Sequence, residues 1–324
     1  MVRRYHCSLD VTSNSENSDA QFEISTDATK VAKNLIFISG PARSGTSLLG
    51  NLIASFDSIE FSYEPNLLFT LLRLNKQIPH ESWKMVYETY LYEDLFLAAV
   101  SGRSLNFRKT DESSVFNHKE DAELRRRLEG PGSKAQIQQL IAGRRLAVKV
   151  PDVVDQLPFL SRTYPEMTIV IAIREPIATI NSWLSKGWLS DKSLNGELTL
   201  FPFTRHEKFV LPHFIPPDEI EQFFYLSELD RIIRYLKLVY LSIMALPKKV
   251  VIRYEEICDS PSETVGKLSE FLKTFPTKKT HELMANIRPI EMPLENLSRI
   301  SSVLLDEVRF FYEELASQNG LQER

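Results

Sequence analysis

The residues from Gly40 to Ser47 read GPARSGTS and have the spacing of a phosphate-binding loop. Both glycines stand where the pattern G-x-x-x-x-G-K-[ST] requires them, but Thr46 occupies the lysine position. In such a loop successive backbone N–H groups face an anion, and the start of the next helix adds partial positive charge. Arg43 places a full cation inside the loop. The segment therefore predicts a site for a phosphate or a similar anion, and the alternative is a tight turn that binds nothing.

The missing lysine counts against a nucleoside triphosphate as the ligand. Triphosphate enzymes use that lysine on the β- and γ-phosphates, and they hold magnesium with the next Ser or Thr and with an Asp after a second strand. Here the apolar run at residues 168–173 is followed by Arg174 and not by Asp. A donor with a shorter, metal-free anionic end fits these residues better, and a small-molecule kinase is kept as an alternative.

The elements around the loop alternate between strands and helices. Short runs rich in branched and aromatic residues predict strands at 34–39, 145–150, 168–173 and 249–253. Helical spacing predicts helices at 46–55, 153–163, 176–186, 260–272 and 303–315, a long helix at 218–246, and two pieces within 120–143. Alternation of this kind predicts a three-layer α/β/α fold with a central parallel sheet. Ligands of such sheets lie at the carboxyl ends of the strands.

Composition limits the class of protein. The net charge of −4 gives no basic field for nucleic acid. Cys7 and Cys258 are the two cysteines, too few for a disulfide framework, which favours a reducing, cytoplasmic location. No apolar run reaches the roughly 18 residues of a membrane span. We expect a flexible leader over residues 1–30 and a single domain over 31–324, and the sequence leaves the oligomeric state open.

Three motifs together resemble the sulfotransferases that use 3′-phosphoadenosine-5′-phosphosulfate (PAPS). They are the loop at 40–47, IREPIATINSW at 173–183 and VVIRYEEICDSPSETVGKLSEFL at 250–272, and they occur in the order found in that family. The Arg-Ser-Gly-Thr sequence of the loop resembles the tyrosylprotein, carbohydrate and bacterial branches more closely than the cytosolic branch. The resemblance implies PAPS as the sulfuryl donor, adenosine 3′,5′-bisphosphate (PAP) as the product, and no required metal.

The resemblance also assigns the residues that bind the donor. Arg174 and Ser182 would hold the 3′-phosphate, and an arginine suits this task because its planar fork donates two bonds. Tyr254 would lie near the adenine. An ion pair between Arg174 and Glu175 is the alternative for that arginine. The residues that would hold the phosphosulfate are Arg43, Ser44, Gly45, Thr46 and Ser47.

The general base departs from the cytosolic pattern. Cytosolic members carry Lys-Thr-His after the second strand, whereas this chain has Lys149 followed by Val150 and Pro151, and proline cannot accept a proton. Other branches use a glutamate after the first helix, which makes Glu64 the predicted base and leaves Asp152 in reserve. Lys149 and Arg43 would stabilise charge on the transferring group. The alternative for Glu64 is a cap on the helix that starts near residue 65.

The sequence therefore predicts a sulfotransferase that moves a sulfuryl group from PAPS to a hydroxyl, or to an amine or guanidine nitrogen. The acceptor would be a small molecule or a glycan, and no nucleic acid or membrane span is expected. Helical additions would form the acceptor site, and residues 187–217 would supply a lid or acceptor loop. A small-molecule kinase and a non-catalytic PAP-binding protein are the alternatives.

Overall fold

The computed structural model describes residues 23–130, 133–194, 203–206, 209–212, 214–288 and 302–317. The strands are β1 Ile36–Ser39, β2 Ile59–Tyr63, β3 Arg145–Lys149, β4 Thr168–Ile173, β5 Phe203–His206, β6 Phe209–Pro212 and β7 Val250–Arg253. The helices are α1 Thr26–Lys33, α2 Thr46–Ala54, α3 Asn66–Leu74, α4 His80–Thr89, α5 Ala98–Val100, α6 Asp121–Leu128, α7 Lys134–Ile141, α8 Leu157–Thr163, α9 Pro176–Leu184, α10 Ile220–Tyr225, α11 Glu228–Met244, α12 Tyr254–Asp259, α13 Pro261–Leu272, α14 Lys278–Asn286 and α15 Ser302–Ser317. A π-helix at Tyr90–Leu97 joins α4 to α5, and short 3₁₀ turns occur at Val115–Asn117, Val154–Gln156 and Pro217–Glu219.

Five parallel strands form the central sheet in the order β2-β3-β1-β4-β7. The first strand lies in the middle, and the chain builds outward from it on both sides. The crevice at the carboxyl ends of strands where the order reverses is the usual ligand site of such a sheet. The loop after β1 opens there, between the ends of β3 and β4. The predicted parallel sheet is therefore confirmed.

Helices cover both faces of this sheet, and alternate strand residues face them. In β1, Phe37 packs into one hydrophobic cluster, while Ile36 and Ile38 pack into the other. The first cluster includes residues of α3, α4, α8, α9, α11 and α15, and the second includes residues of α2, α12 and α13. The predicted three-layer α/β/α architecture is confirmed.

Two predicted boundaries change. The long helix predicted at 218–246 is divided, because Ser227 caps the start of α11 by accepting a hydrogen bond from the Asp230 N–H at 3.2 Å. A flexible leader is predicted over residues 1–30, but α1 begins at Thr26 and buries Ala28 and Ala32. Residues 26–30 are therefore helical, and a flexible leader stays a prediction for the residues before them. Residues 1–22 lie outside the described part of the chain.

In the parts of the chain that the structure describes, no helix has both the length and the apolar character needed to cross a membrane.

Candidate active site

The loop after β1 has the backbone of an anion site. Gly40 (φ 141°) and Gly45 (φ 88°) adopt conformations that side chains disfavour. A Cβ at Gly40 would lie 2.2 Å from the Ala172 carbonyl oxygen, so only glycine fits there. Gly45 precedes α2, and among the described residues no side chain caps this helix. The positive end of the helix is thus not neutralised by a capping group.

Ser44 contributes to the loop in a way that the motif does not reveal. Its hydroxyl is fully buried and shares its one hydrogen between the Pro41 carbonyl at 2.6 Å and the Ala172 carbonyl at 3.0 Å. The side chain therefore holds the shape of the loop and fastens it to β4. The Ser44 backbone N–H also donates to the Pro41 carbonyl, at 3.3 Å.

All three sequence motifs meet at this loop. Arg43 donates from Nε to the Ser182 hydroxyl at 2.9 Å, which joins the loop to α9. The guanidinium of Arg174 lies 4.5 Å from the centre of the Tyr254 ring. The same ring contacts Gly45, where an added Cβ would lie 2.6 Å from Tyr254 Cδ2. The structure thus places two cations, a hydroxyl and an aromatic ring around one helix start.

Glu64 and Lys149 form an ion pair at the neighbouring ends of β2 and β3, where Tyr63 is in register with Lys149. The lysine Nζ also lies 3.3 Å from the Ser47 hydroxyl. Lys149 is almost fully buried, whereas 28% of the Glu64 side chain is exposed. Glu64 is not observed to cap the following helix, which was its alternative role, since α3 begins after Pro65 without a side-chain cap. The pair therefore lies beside the loop with its carboxylate open to solvent.

Two site residues were not predicted from the sequence. Tyr63 and Glu112 form a triangle of hydrogen bonds with Ser47, in which the tyrosine hydroxyl lies 3.0 Å from the serine and 2.9 Å from the carboxylate. The Tyr63 ring also lies 4.2 Å from Lys149 Nζ. Burial raises the pKa of Tyr63, so its hydroxyl stays a hydrogen-bond donor. Alternation along β2 offered a weak signal for Tyr63, but nothing local marked Glu112.

The remaining predicted contacts are placed as follows. The Glu175 carboxylate accepts from the Ala178 N–H at 2.7 Å and so caps α9. Asp152, the reserve base, lies behind the loop and accepts from the Ala42 N–H at 2.8 Å. Thr46 is the first residue of α2 and is buried.

Within the described ranges, no group of three or more His, Cys, Asp or Glu side chains is arranged to hold a metal ion.

Residues 35–198, about half of the chain, match the family model described as Sulfotransferase family. The chain belongs to the sulfotransferase family. Of the three motifs, the matched region contains the loop after β1 and the segment from β4 into α9, together with Glu64 and Lys149. Tyr254 and α12 lie beyond it. This enzyme therefore carries out sulfuryl transfer.

Solved structures with a similar fold are also sulfotransferases. STF9 from Mycobacterium avium shares 15% identity over 92% of this chain and 80% of that one, with a TM-score of 0.44. STF1 from Mycobacterium tuberculosis H37Rv shares 14% over 90% and 79%, with a TM-score of 0.39. A sulfotransferase from Alicyclobacillus acidocaldarius shares 15% over 87% and 92%, with a TM-score of 0.34. These likenesses are weak, and the assignment rests on the family match. Among curated protein sequences, none matches this chain.

The geometry of this sulfotransferase suits transfer of an anionic group. Sulfuryl transfer needs cations near the developing negative charge, a base for the acceptor proton, and close positioning of the two substrates. Arg43 and Lys149 are cations on two sides of the α2 start, and the partly exposed carboxylate of Glu64 lies beside Lys149.

Proposed function

We propose that this enzyme transfers a sulfuryl group from PAPS to a hydroxyl, or to an amine or guanidine nitrogen, of a small-molecule or glycan acceptor, and releases PAP. The acceptor oxygen or nitrogen forms a bond to sulfur while the bond between sulfur and the 5′-phosphate oxygen breaks. The leaving PAP takes that electron pair, and the acceptor proton goes to a base on the enzyme. PAPS supplies the activated sulfuryl group, and no metal is required.

The convergence of the three motifs is the observation that carries the proposal. A donor with a phosphosulfate on the 5′ position and a phosphate on the 3′ position of an adenosine needs two anion sites and a contact for the adenine. Arg43 and the start of α2 suit the phosphosulfate end, and Arg174 with Ser182 suits the 3′-phosphate. Tyr254 lies against both Gly45 and Arg174, which supports a place for the adenine nearby. The donor-binding residues therefore form one connected group.

Glu64 is the proposed base and Lys149 its partner. The exposed edge of the Glu64 carboxylate is accessible to an acceptor, whereas its other contact is the buried lysine. Lys149 lies between Glu64 and Ser47, so its charge can serve both the base and the anion in the loop. Arg43 offsets charge from the other side. These roles assign one residue to proton transfer and two to charge stabilisation.

The acceptor site is proposed near residues 187–217. Trp183 packs against Trp188 with ring centres 5.2 Å apart, and Tyr235 packs against Phe214 at 4.5 Å. These rings adjoin the loop, since Trp183 donates to the Ala42 carbonyl at 2.8 Å. The partly exposed rings of Trp188 and Phe214, backed by the buried Trp183 and Tyr235, offer an apolar wall beside the anion site. The single domain over residues 31–324 and the cytoplasmic location stay predictions.

Titration of the purified protein with PAP by calorimetry, without magnesium, tests the donor. We expect micromolar affinity for PAP, and we expect the Arg174→Ala variant to bind at least about a hundredfold more weakly because a charged bond to phosphate is lost. Arg162→Ala is the matched control, since it removes the same charge from an exposed position of α8. It should bind PAP as the wild type does.

Release of PAP from PAPS, measured by chromatography with phenol, sugar, amine and guanidine acceptors, tests the reaction. Turnover with one acceptor class and micromolar PAP affinity would support the proposal. Tighter, magnesium-dependent binding of ATP would favour the kinase alternative. PAP binding with no turnover for any class, and no change in PAP binding in Glu64→Gln, would favour a non-catalytic PAP-binding protein.

A further inference from the structure

Asp152 contacts the anion-binding loop at two points. It lies three residues after the end of β3 and adopts φ 60°, a conformation uncommon for aspartate. Its backbone N–H donates to the Gly40 carbonyl at 3.1 Å, and its Oδ1 accepts from the Ala42 N–H at 2.8 Å. The turn after β3 is therefore fastened to the first half of the loop.

Two aromatic residues complete this arrangement. The Tyr235 hydroxyl, from α11, donates to the same Oδ1 of Asp152. Trp183, from α9, donates its Nε1–H to the Ala42 carbonyl at 2.8 Å. The two rings pack with centres 4.6 Å apart. Ala42 is thus held at its N–H and at its carbonyl by two different elements of the fold.

The position of Ala42 determines what the next residue can do. Arg43 follows with φ 69°, in the left-handed region, and donates to Ser182. Holding a non-glycine residue in that region costs free energy, which the surrounding contacts must offset. If Ala42 were released, the loop could relax toward an ordinary turn and Arg43 would leave Ser182. The contacts around Ala42 are therefore suited to maintain the conformation that presents Arg43.

A carboxylate in this position is poorly placed to be the base. Its Oδ1 already accepts two hydrogen bonds, from Ala42 and from Tyr235. An accessible carboxylate, Glu64, lies beside Lys149 at the end of the neighbouring strand. A negative charge behind an anion-binding loop would also oppose the anion, so retention of a carboxyl here needs another reason. Its hydrogen bonds to the loop provide one.

We propose that Asp152 is a positioning residue: with Tyr235 and Trp183 it holds Ala42 so that the loop keeps its anion-binding conformation, and it takes no proton from the acceptor. This inference rests on the proposed function for the choice of PAP as the probe and for the measurement of kcat. Its structural part concerns the loop alone and is measurable without ligand.

Two substitutions at Asp152 separate positioning from base catalysis. Asp152→Asn keeps an oxygen that can accept from both donors, whereas Asp152→Ala removes it. We expect the Asn variant to bind PAP within about threefold of wild type and to keep its kcat. We expect the Ala variant to bind PAP at least about tenfold more weakly, because a buried N–H loses its partner. A base would instead lose kcat in both variants with PAP affinity unchanged, and that result would overturn the proposal.

Hydrogen exchange at the Ala42 amide provides the readout that needs no ligand. Protection of this amide should persist in Asp152→Asn and should fall at least about tenfold in Asp152→Ala, since the acceptor of that N–H is lost. Unchanged protection in the Ala variant would overturn the inference even if the protein binds PAP. If the exchange result holds but the wild type does not bind PAP, the proposed donor is wrong and the positioning role of Asp152 stands.

Tyr235→Phe tests the second donor without removing the carboxyl. It should weaken PAP binding about threefold to tenfold, because one hydrogen bond to Oδ1 is lost. Tyr164→Phe is the matched control. Tyr164 lies between α8 and β4, and its hydroxyl also donates to a buried carboxylate, that of Glu88 at 2.9 Å. We expect no change in PAP affinity for this control. Equal weakening in both variants would contradict a specific role for Tyr235.

Discussion

Two glutamates, one near the start of β2 and one just after its end, occupy opposite kinds of site. Glu60 is 1% exposed, and its oxygens accept from Arg127 at 2.7 and 2.9 Å and from Arg144 at 2.6 Å. Glu64, four residues later, is 28% exposed and pairs with Lys149. Its backbone has φ 44°, whereas Glu60 lies in a regular strand. The same residue type thus appears once with every oxygen occupied and once with an accessible edge.

The difference shows how a structural carboxylate can be told from a functional one. Burial by itself would raise the pKa of Glu60, but the charges of Lys119, Arg127 and Arg144 outweigh it and lower the pKa. The result is a fixed cluster, which also includes Glu123 and fastens α6 to the edge of the sheet. A carboxylate such as that of Glu60, whose oxygens are buried and already hydrogen-bonded, cannot also bind a substrate.

Glu64 can still contact a substrate, because part of its carboxylate is exposed. It has solvent on one side, and its strained backbone turns the side chain toward the loop end of β3. Strain of this kind is found where the surrounding structure holds a residue for function. We therefore expect changes at Glu64 to affect rate and changes at Glu60 to affect folding.

Glu64→Gln should give the largest effect of all. We expect kcat to fall by about 10² to 10⁴-fold, because the proposed general base is lost while the shape of the side chain is kept. The free energy of unfolding should fall by about 1–3 kcal/mol, less than for Glu60→Gln, because the buried Lys149 loses its anion but keeps its contacts with Ser47 and the Tyr63 ring. Steady-state assays and urea unfolding of the same preparation measure both. An unchanged kcat would show that another group accepts the proton.

Glu60→Gln should reverse this pattern. Removing the charge leaves Arg127 and Arg144 with Glu123 but without the buried Glu60 anion, which costs about 3–5 kcal/mol of unfolding free energy. Activity of the remaining folded protein should be close to that of the wild type. Glu263→Gln, in an exposed i,i+4 pair with Lys267, is the control and should cost less than about 0.5 kcal/mol. If Glu60→Gln were as stable as the control Glu263→Gln, Glu60 would not have the structural role that distinguishes it from Glu64.

The pH dependence of stability should also differ in sign between the two regions. Burial raises the pKa of Asp152 from 3.8 to about 6, with the bonds from Tyr235 and Ala42 opposing this. Its contribution is therefore complete below about pH 3.8 and is lost as the pH rises toward 6. The lowered pKa of Glu60 makes its contribution complete above 4.5 and lost as the pH falls.

Urea unfolding of wild type, Asp152→Asn and Glu60→Gln between pH 3.5 and about 7 would measure these two contributions. Asp152→Asn should gain stability relative to wild type as the pH rises from about 4 to 6, and the deficit of Glu60→Gln should shrink at the acid end. Parallel curves for all three proteins would contradict both assignments.

Glu112→Gln should give the smallest effect. The Glu112 carboxylate accepts from Tyr63 and Ser47 at the start of α2, so it competes with a bound anion for these donors. We expect PAPS to bind about twofold to fivefold more tightly in the variant, an effect of less than about 1 kcal/mol because the carboxylate is exposed. Calorimetry at low and high salt checks it, since screening should reduce the gain. Weaker binding would instead make Glu112 part of the donor site.

Local sequence patterns correctly predicted four strands of the central sheet and the loop that follows the first of them. The apolar runs of β1, β3, β4 and β7 and the glycines of the loop are recognisable because strand burial and left-handed turns demand particular residues within a few positions. The division of the long helix at Ser227 was missed, because an apolar stripe continues across it and a single capping serine interrupts the backbone. Element type is a local property, whereas a break within a periodic segment depends on the packing of each half.

The sequence by itself determined that an anion loop follows the first predicted strand, that an arginine follows β4, that Lys149 belongs to another predicted strand, and that Glu64 comes after the first helix. Only the tertiary structure decided that Arg43 reaches Ser182, that Asp152 is fastened to Ala42, and that Glu112 enters the site. The reason is distance along the chain. Contacts between residues 110 or 139 positions apart, as for Ala42–Asp152 and Arg43–Ser182, depend on how strands are ordered and helices packed, and no local pattern records that order.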